Sequence, residues 1–213
     1  MHRAIRRAAP RLKRKKRNFK DADCNQLFRS VTDNVERRDV SDIHDLTELE
    51  AASIPAVLTG ISAGWPAETR WSPEALLADE RFIEARFDVD GKRMTLVEYN
   101  RHCALATVRR LPCIFEDLSD EMPHTRALLE DFDVPEIFCD DLFETEALWD
   151  CAAQRMRYRW FLFGAQGSGS PMHSDPLGTS AWNALLSGTK LWACFPPCTE
   201  VCSVGVTSCH CCV

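Results

Sequence analysis

The chain reads as an α+β domain, mainly β with helices, and three stretches lead to that reading. Residues 82–89 alternate in apolar character and run into Asp90-Gly91, a hairpin-turn dipeptide, so 92–96 are expected to pair back. Ser72 followed by Pro73 is a helix start, with Leu76 and Leu77 on the buried face. Residues 159–163 alternate ahead of a Gly/Ser/Pro loop at 164–171, and a second short apolar strand is expected at 191–195.

Three segments are expected along the 213 residues: a basic disordered arm over 1–22, a folded domain over 23–197 and a Cys-rich tail over 198–213. The net charge of −6 conceals an asymmetry: residues 1–20 hold ten Lys or Arg and no acid, so the remainder is strongly acidic. Such dense like charge cannot bury a core. It reads as a nuclear-import signal, a nucleic-acid contact or a solvated tail. No apolar run approaches the roughly 18 residues of a membrane span, and no signal-peptide core follows the basic residues. A reducing, intracellular setting is expected, in which the 11 cysteines are thiols or metal ligands rather than disulfides.

In order, Ser41 is expected to cap a helix over 41–52, followed by a strand over 54–60 at the start of the sheet. Gly64-Trp65-Pro66 is a turn, and the helix opened by Ser72 runs to Arg81. A helix is expected over 97–106, a strand over 112–116 and a helix over 125–132 that Asp133-Val134-Pro135 breaks. Residues 149–157 are helix or loop before the strand at 159–163. Asp140 and Asp141 read as a helix-start or loop pair rather than a metal site.

The centre of the chain is His173-Ser174-Asp175. In a strand, side chains at i and i+2 share a face, so an imidazole and a carboxylate spaced this way can grip one metal from one side. That suits a non-haem Fe(II) site of the two-His-one-carboxylate type. Alone, the motif is equally a loop histidine beside a turn-forming Asp-Pro. Asn183 and Lys190 follow, with a turn at Ser187-Gly188 between them.

Tyr158–Phe161 (YRWF), His173–Leu185 (H-x-DPLGTSAWNAL), Gly188–Lys190 (G-x-K) and Phe195-Pro196 together resemble the JmjC oxygenases. The match is nearest to the branch of bifunctional arginine demethylases and lysyl hydroxylases. The resemblance implies a cupin-like double-stranded β-helix, a jelly roll, of which this chain would hold the N-terminal part. It implies Fe(2+) and 2-oxoglutarate, with His173 and Asp175 as catalytic iron ligands. Lys190 would pair with the distal carboxylate of 2-oxoglutarate, Asn183 would hydrogen-bond it, and Ser170 would lie near the substrate. The implied substrates are lysine or methyl-arginine side chains of proteins such as histones or splicing factors, in the nucleus. Where the branch carries a co-substrate tyrosine, Cys113 stands here, and a thiol lacks a phenol's reach.

The resemblance ends after Pro197. The distal iron-binding histidine it calls for is not found, and the jelly roll is expected to be incomplete at the C-terminus, with edges such as 191–195 exposed and prone to aggregate. His210, the histidine that follows Asp175, is flanked by Cys209, Cys211 and Cys212, which favour Zn or Cu(I) over Fe(II). The tail is thus either a zinc site or an accident of an incomplete gene model. Enzyme and non-catalytic binding or regulatory protein both stay open.

Overall fold

The computed structural model describes residues 32–106, 111–141, 143, 157–170, 173–175 and 178–196. The basic arm, the Cys-rich tail with His210, and most of 149–157 lie outside the described residues.

The first strand is β1, Glu36–Asp39, which the sequence reading did not assign. It pairs in parallel with β2, Ala56–Thr59, in the register Glu36↔Ala56. This pair forms a sheet of its own, so the strand expected at 54–60 exists but does not begin the main sheet. The single helix expected over 41–52 is split. Asp39 caps a 3-10 turn at Val40–Asp42 by accepting from the Ser41 N–H, and Ser41 lies inside that turn. Asp45 then accepts from the Thr47 N–H at 2.8 Å and starts α1, Thr47–Ala52. Two aspartates compete locally for backbone donors, and the continuous helix loses.

Helix α2, Ala67–Arg70, precedes α3, Pro73–Ala78, where Ser72 caps the Ala75 N–H at 3.1 Å as expected. Helix α3 stops short of Arg81, and the strand expected over 82–89 is reduced to β3, Phe87–Val89. The cause lies far away in sequence. Arg81 is bound by Asp79 and by Asp131, at 2.7 and 2.9 Å, which wraps 79–82 into a turn and buries Phe82 as a plug. Asp90 (φ +50°) and Gly91 (φ +79°) make the left-handed pair of a tight hairpin into β4, Lys92–Met94. Helix α4, Leu96–Leu105, starts at a capping box in which Thr95 and Glu98 satisfy each other's backbone N–H groups.

Strands β5, Cys113–Asp117, and β6, Trp160–Gly164, complete an antiparallel sheet ordered β4-β3-β5-β6. Between them, Pro123 opens α5, Pro123–Leu129, and a 3-10 turn occupies Glu136–Phe138. The core joins Phe82, Phe87, Tyr99, Ile114, Leu128 and Phe161 between the sheet and α3, α4 and α5. Trp71 meets Phe161 edge-on at 5.2 Å, a geometry that adds about 0.5–1.5 kcal/mol beyond area burial.

Residues 191–196 are not a strand, nor are 173–175. Among the described residues, β6 pairs with β5 alone, and no strand lies beside 191–195 to supply a ladder. Trp192 and Phe195 are nevertheless exposed, as the reading of an open apolar stretch anticipated.

Asp131 is the polar anchor of this packing. Its carboxylate is fully buried and receives Arg70 at 2.6 Å, Arg81 at 2.9 Å and the Trp71 indole N–H at 3.0 Å. Burial pushes its pKa up, but these three donors outweigh burial and hold it below the usual carboxylate range. Asp131→Ala leaves Arg70 and the Trp71 indole without this partner and Arg81 with Asp79, and is expected to destabilise the fold by about 1–3 kcal/mol in urea unfolding. Because the folded value is depressed, this stabilisation is complete above about pH 4 and is lost as pH falls through the folded value. A flat acid limb between wild type and variant would refute the anchor role.

Candidate active site

The site is built at one end of the β5–β6 ladder. Cys113 opens β5 opposite Gly164, the last residue of β6. Pro112 precedes Cys113 and has no N–H to extend the ladder. Ala165 begins a turn in which the Ser168 N–H donates to the Ala165 carbonyl at 3.0 Å, with Gly167 at φ +85°. That is the geometry of a type II turn, which needs glycine at its third position. The turn carries Ser168 into the interior, where its hydroxyl is buried beside the Cys113 thiol.

Cys113 is half-buried. Its thiol donates to the Phe163 carbonyl at 3.4 Å. Burial pushes the thiol pKa up to about 11, while the positive charge of Lys190 pulls the other way. Lys190 therefore lies close enough to act on the position that sequence reading singled out as the co-substrate strand.

Lys190 donates to Asn183 Oδ1 at 3.4 Å and also stands 4.3 Å from the centroid of the Trp192 ring. Asn183 and Lys190 are seven residues apart, and the turn between them, with Gly188 at φ +86°, folds them together. Trp182, next to Asn183, stacks on Phe138 at 5.0 Å with parallel rings, which ties this segment to the 3-10 turn after α5.

His173 and Asp175 lie in a loop rather than the expected strand, yet they converge: Nε2 stands 3.4 Å from Asp175 Oδ1. Both side chains are about half exposed. Two donors about 2.0–2.2 Å from one ion and near right angles to each other would sit roughly 3 Å apart, so this pair fits as adjacent ligands. Among the described residues, no group of three His, Cys, Asp or Glu comes together to complete a site. Ser170 is exposed at the end of the described part of the loop leading to His173.

Two participants escaped sequence reading. Ser168 is one of several serines in a loop, and nothing in its spacing marks it as the buried one. Tyr99 is fully buried in α4, and its hydroxyl reaches both strands at one end of the ladder, at Pro112 and Ala165. The helical period marks Tyr99 as core but gives no sign of what its hydroxyl touches.

No family model matches the chain. Curated relatives do. The chain is 36% identical over 167 residues to the arginine-specific demethylase JMJ22 of Arabidopsis thaliana, an alignment covering 78% of this chain and 31% of that protein. It is 34% identical over 154 residues to the bifunctional arginine demethylase and lysyl-hydroxylase psr-1 of Caenorhabditis elegans, covering 70% of this chain and 38% of the relative. With the lysine-specific demethylase JMJ21 of Arabidopsis thaliana the figures are 32% over 169 residues, 77% of this chain and 17% of the relative. The chain thus spans well under half the length of these relatives. The antiparallel sheet flanked by helices is consistent with a JmjC fold. Across 70–78% of its length, this chain is a homologue of the JmjC arginine and lysine demethylases.

Proposed function

We propose that this chain carries the co-substrate end of an Fe(II)- and 2-oxoglutarate-dependent oxygenase that modifies protein side chains. The observation that carries the proposal is the convergence of His173 and Asp175 at 3.4 Å in a homologue of side-chain demethylases and hydroxylases. His173 and Asp175 would hold the metal, with the third donor coming from outside the described residues. When bound with 2-oxoglutarate, the metal supplies the oxidative chemistry that inserts oxygen into a C–H bond.

The chain's own groups do the rest. Lys190 is a compact point charge for the distal carboxylate of 2-oxoglutarate, and the Asn183 amide is held beside it at 3.4 Å to share that recognition. With its pKa pushed up to about 11, Cys113 stays a neutral thiol at neutral pH and adds no repulsion to a dianionic ligand. Ser170, exposed three residues before His173, would lie near the peptide substrate.

The substrates are lysine or methyl-arginine side chains. Histones and splicing factors fit that chemistry, and the basic residues of the first twenty suit nuclear entry or contact with nucleic acid. A non-catalytic binding role is the competing reading, favoured by the two-donor set among the described residues.

Two measurements decide. Lys190→Ala removes the charge partner and is expected to weaken 2-oxoglutarate binding by about 10–100-fold in calorimetry, the worth of a hydrogen bond to a charged group. Fe(II)-dependent succinate formation is expected in the unaltered chain and to vanish in His173→Ala. Co-substrate binding indifferent to Lys190, with no succinate formed, would transfer the assignment to the non-catalytic reading.

A further inference from the structure

The β5–β6 ladder ends at Cys113↔Gly164, and one step further Pro112 faces Ala165. In a continued antiparallel ladder these two could share one backbone bond, from the Ala165 N–H to the Pro112 carbonyl, since Pro112 has no N–H. Instead the phenol of Tyr99 stands between them. Its hydroxyl donates to the Pro112 carbonyl at 2.9 Å and accepts from the Ala165 N–H at 2.9 Å. Tyr99 is fully buried, and its ring meets Phe163 edge-on at 5.9 Å.

Both atoms it holds border the candidate site. Pro112 is bonded to Cys113, whose thiol feels the positive charge of Lys190 and donates to the Phe163 carbonyl. Ala165 opens the turn that buries Ser168 and leads through Ser170 towards His173. A backbone bond between Pro112 and Ala165 would bring the strands to ladder spacing and start the loop at a different angle. The inserted hydroxyl holds them apart by the width of one oxygen and its two hydrogen bonds.

We propose that Tyr99 is a positioning residue for the co-substrate pocket: its hydroxyl wedges open the end of the β5–β6 ladder and so sets where Cys113 and the 165–170 loop stand relative to Lys190. The consequence for 2-oxoglutarate rests on the function proposed above; the wedge itself does not. Burial raises the phenol pKa well above its ordinary value, so the hydroxyl remains a donor across the working pH range.

The test is Tyr99→Phe in the full chain, which keeps the ring and removes the oxygen. The first readout needs no ligand: the rate at which iodoacetamide alkylates Cys113, followed by peptide mass spectrometry. Loss of the wedge lets the ladder close one step further beside Cys113, so alkylation is expected to slow by about tenfold or more. Leu128→Ala, which loosens the core at a fully buried position in α5, is the control and is expected to lower Tm without that slowing. The second readout is 2-oxoglutarate affinity, expected to fall about tenfold, as for other residues that act by orienting a ligand-contacting group. If the unaltered chain binds no 2-oxoglutarate, the functional reading fails and the alkylation rate alone judges the wedge. If Tyr99→Phe does not fold, hydrogen exchange in the unaltered chain decides: the Ala165 amide is expected to be protected while that of Gln166 exchanges freely. Alkylation of Tyr99→Phe no slower than in the unaltered chain, or an Ala165 amide as fast as its neighbour, overturns the proposal.

Discussion

The β5–β6 ladder is the interaction on which both the core and the site depend. Its five register pairs, from Cys113↔Gly164 to Asp117↔Trp160, join residues about fifty positions apart. On one face it presents Ile114 and Phe161 to the helices. At one end it presents Cys113 and the start of the loop that leads to His173. The same register therefore decides which side chains are core and which border the pocket. A slip by one residue would turn Ile114 outward and Cys113 inward, exchanging a core aliphatic for a thiol. The Asp131 cluster and the Trp71–Phe161 contact act on the far side of that ladder, holding α2 and the 79–82 turn against it.

What the sequence revealed divides by range. Asp90-Gly91 and Ser72-Pro73 were legible because each acts within four residues of itself, whereas the equally local Thr95–Glu98 box went unread. The strand at 82–89 was over-read because what truncates it, Asp131 acting on Arg81, lies fifty residues away and leaves no local mark. The helix at 41–52 was over-read for the opposite reason. Asp39 and Asp45 act locally, but as competitors for the backbone rather than as helix starters further upstream. The strand at 191–195 has the right composition, but a strand is a relation between two chain segments, and no described partner stands beside it.

The candidate site follows the same division. The proximity of His173 to Asp175 follows from a two-residue spacing and survives the absence of the strand from which it was argued. Asn183 and Lys190 meet because a glycine turn intervenes, and that too is a local signal. Cys113 was placed near them only through the family resemblance, and the positive charge of Lys190 does act on its thiol, against the larger effect of burial. Tyr99 was invisible as anything but core, since its hydroxyl joins backbone atoms 13 and 66 residues away.

Lys190 raises a final question of competition, because its ammonium has neighbours that an anion would have to displace. Its ammonium is shared between the Asn183 amide oxygen at a long 3.4 Å and the face of Trp192 at 4.3 Å. Trp192 is more than half exposed, so the ring contact is worth about 0.5–1 kcal/mol. A bond from the same ammonium to a carboxylate is worth about 1.5–3 kcal/mol. In the function proposed above, the anion would draw the lysine from the ring, and the ring would keep a long, flexible side chain near that position until then. An arginine would serve less well here. Its planar fork stacks more broadly on an indole and asks for two-point geometry, whereas a point charge can leave the ring and turn to a single carboxylate while Asn183 stays beside it.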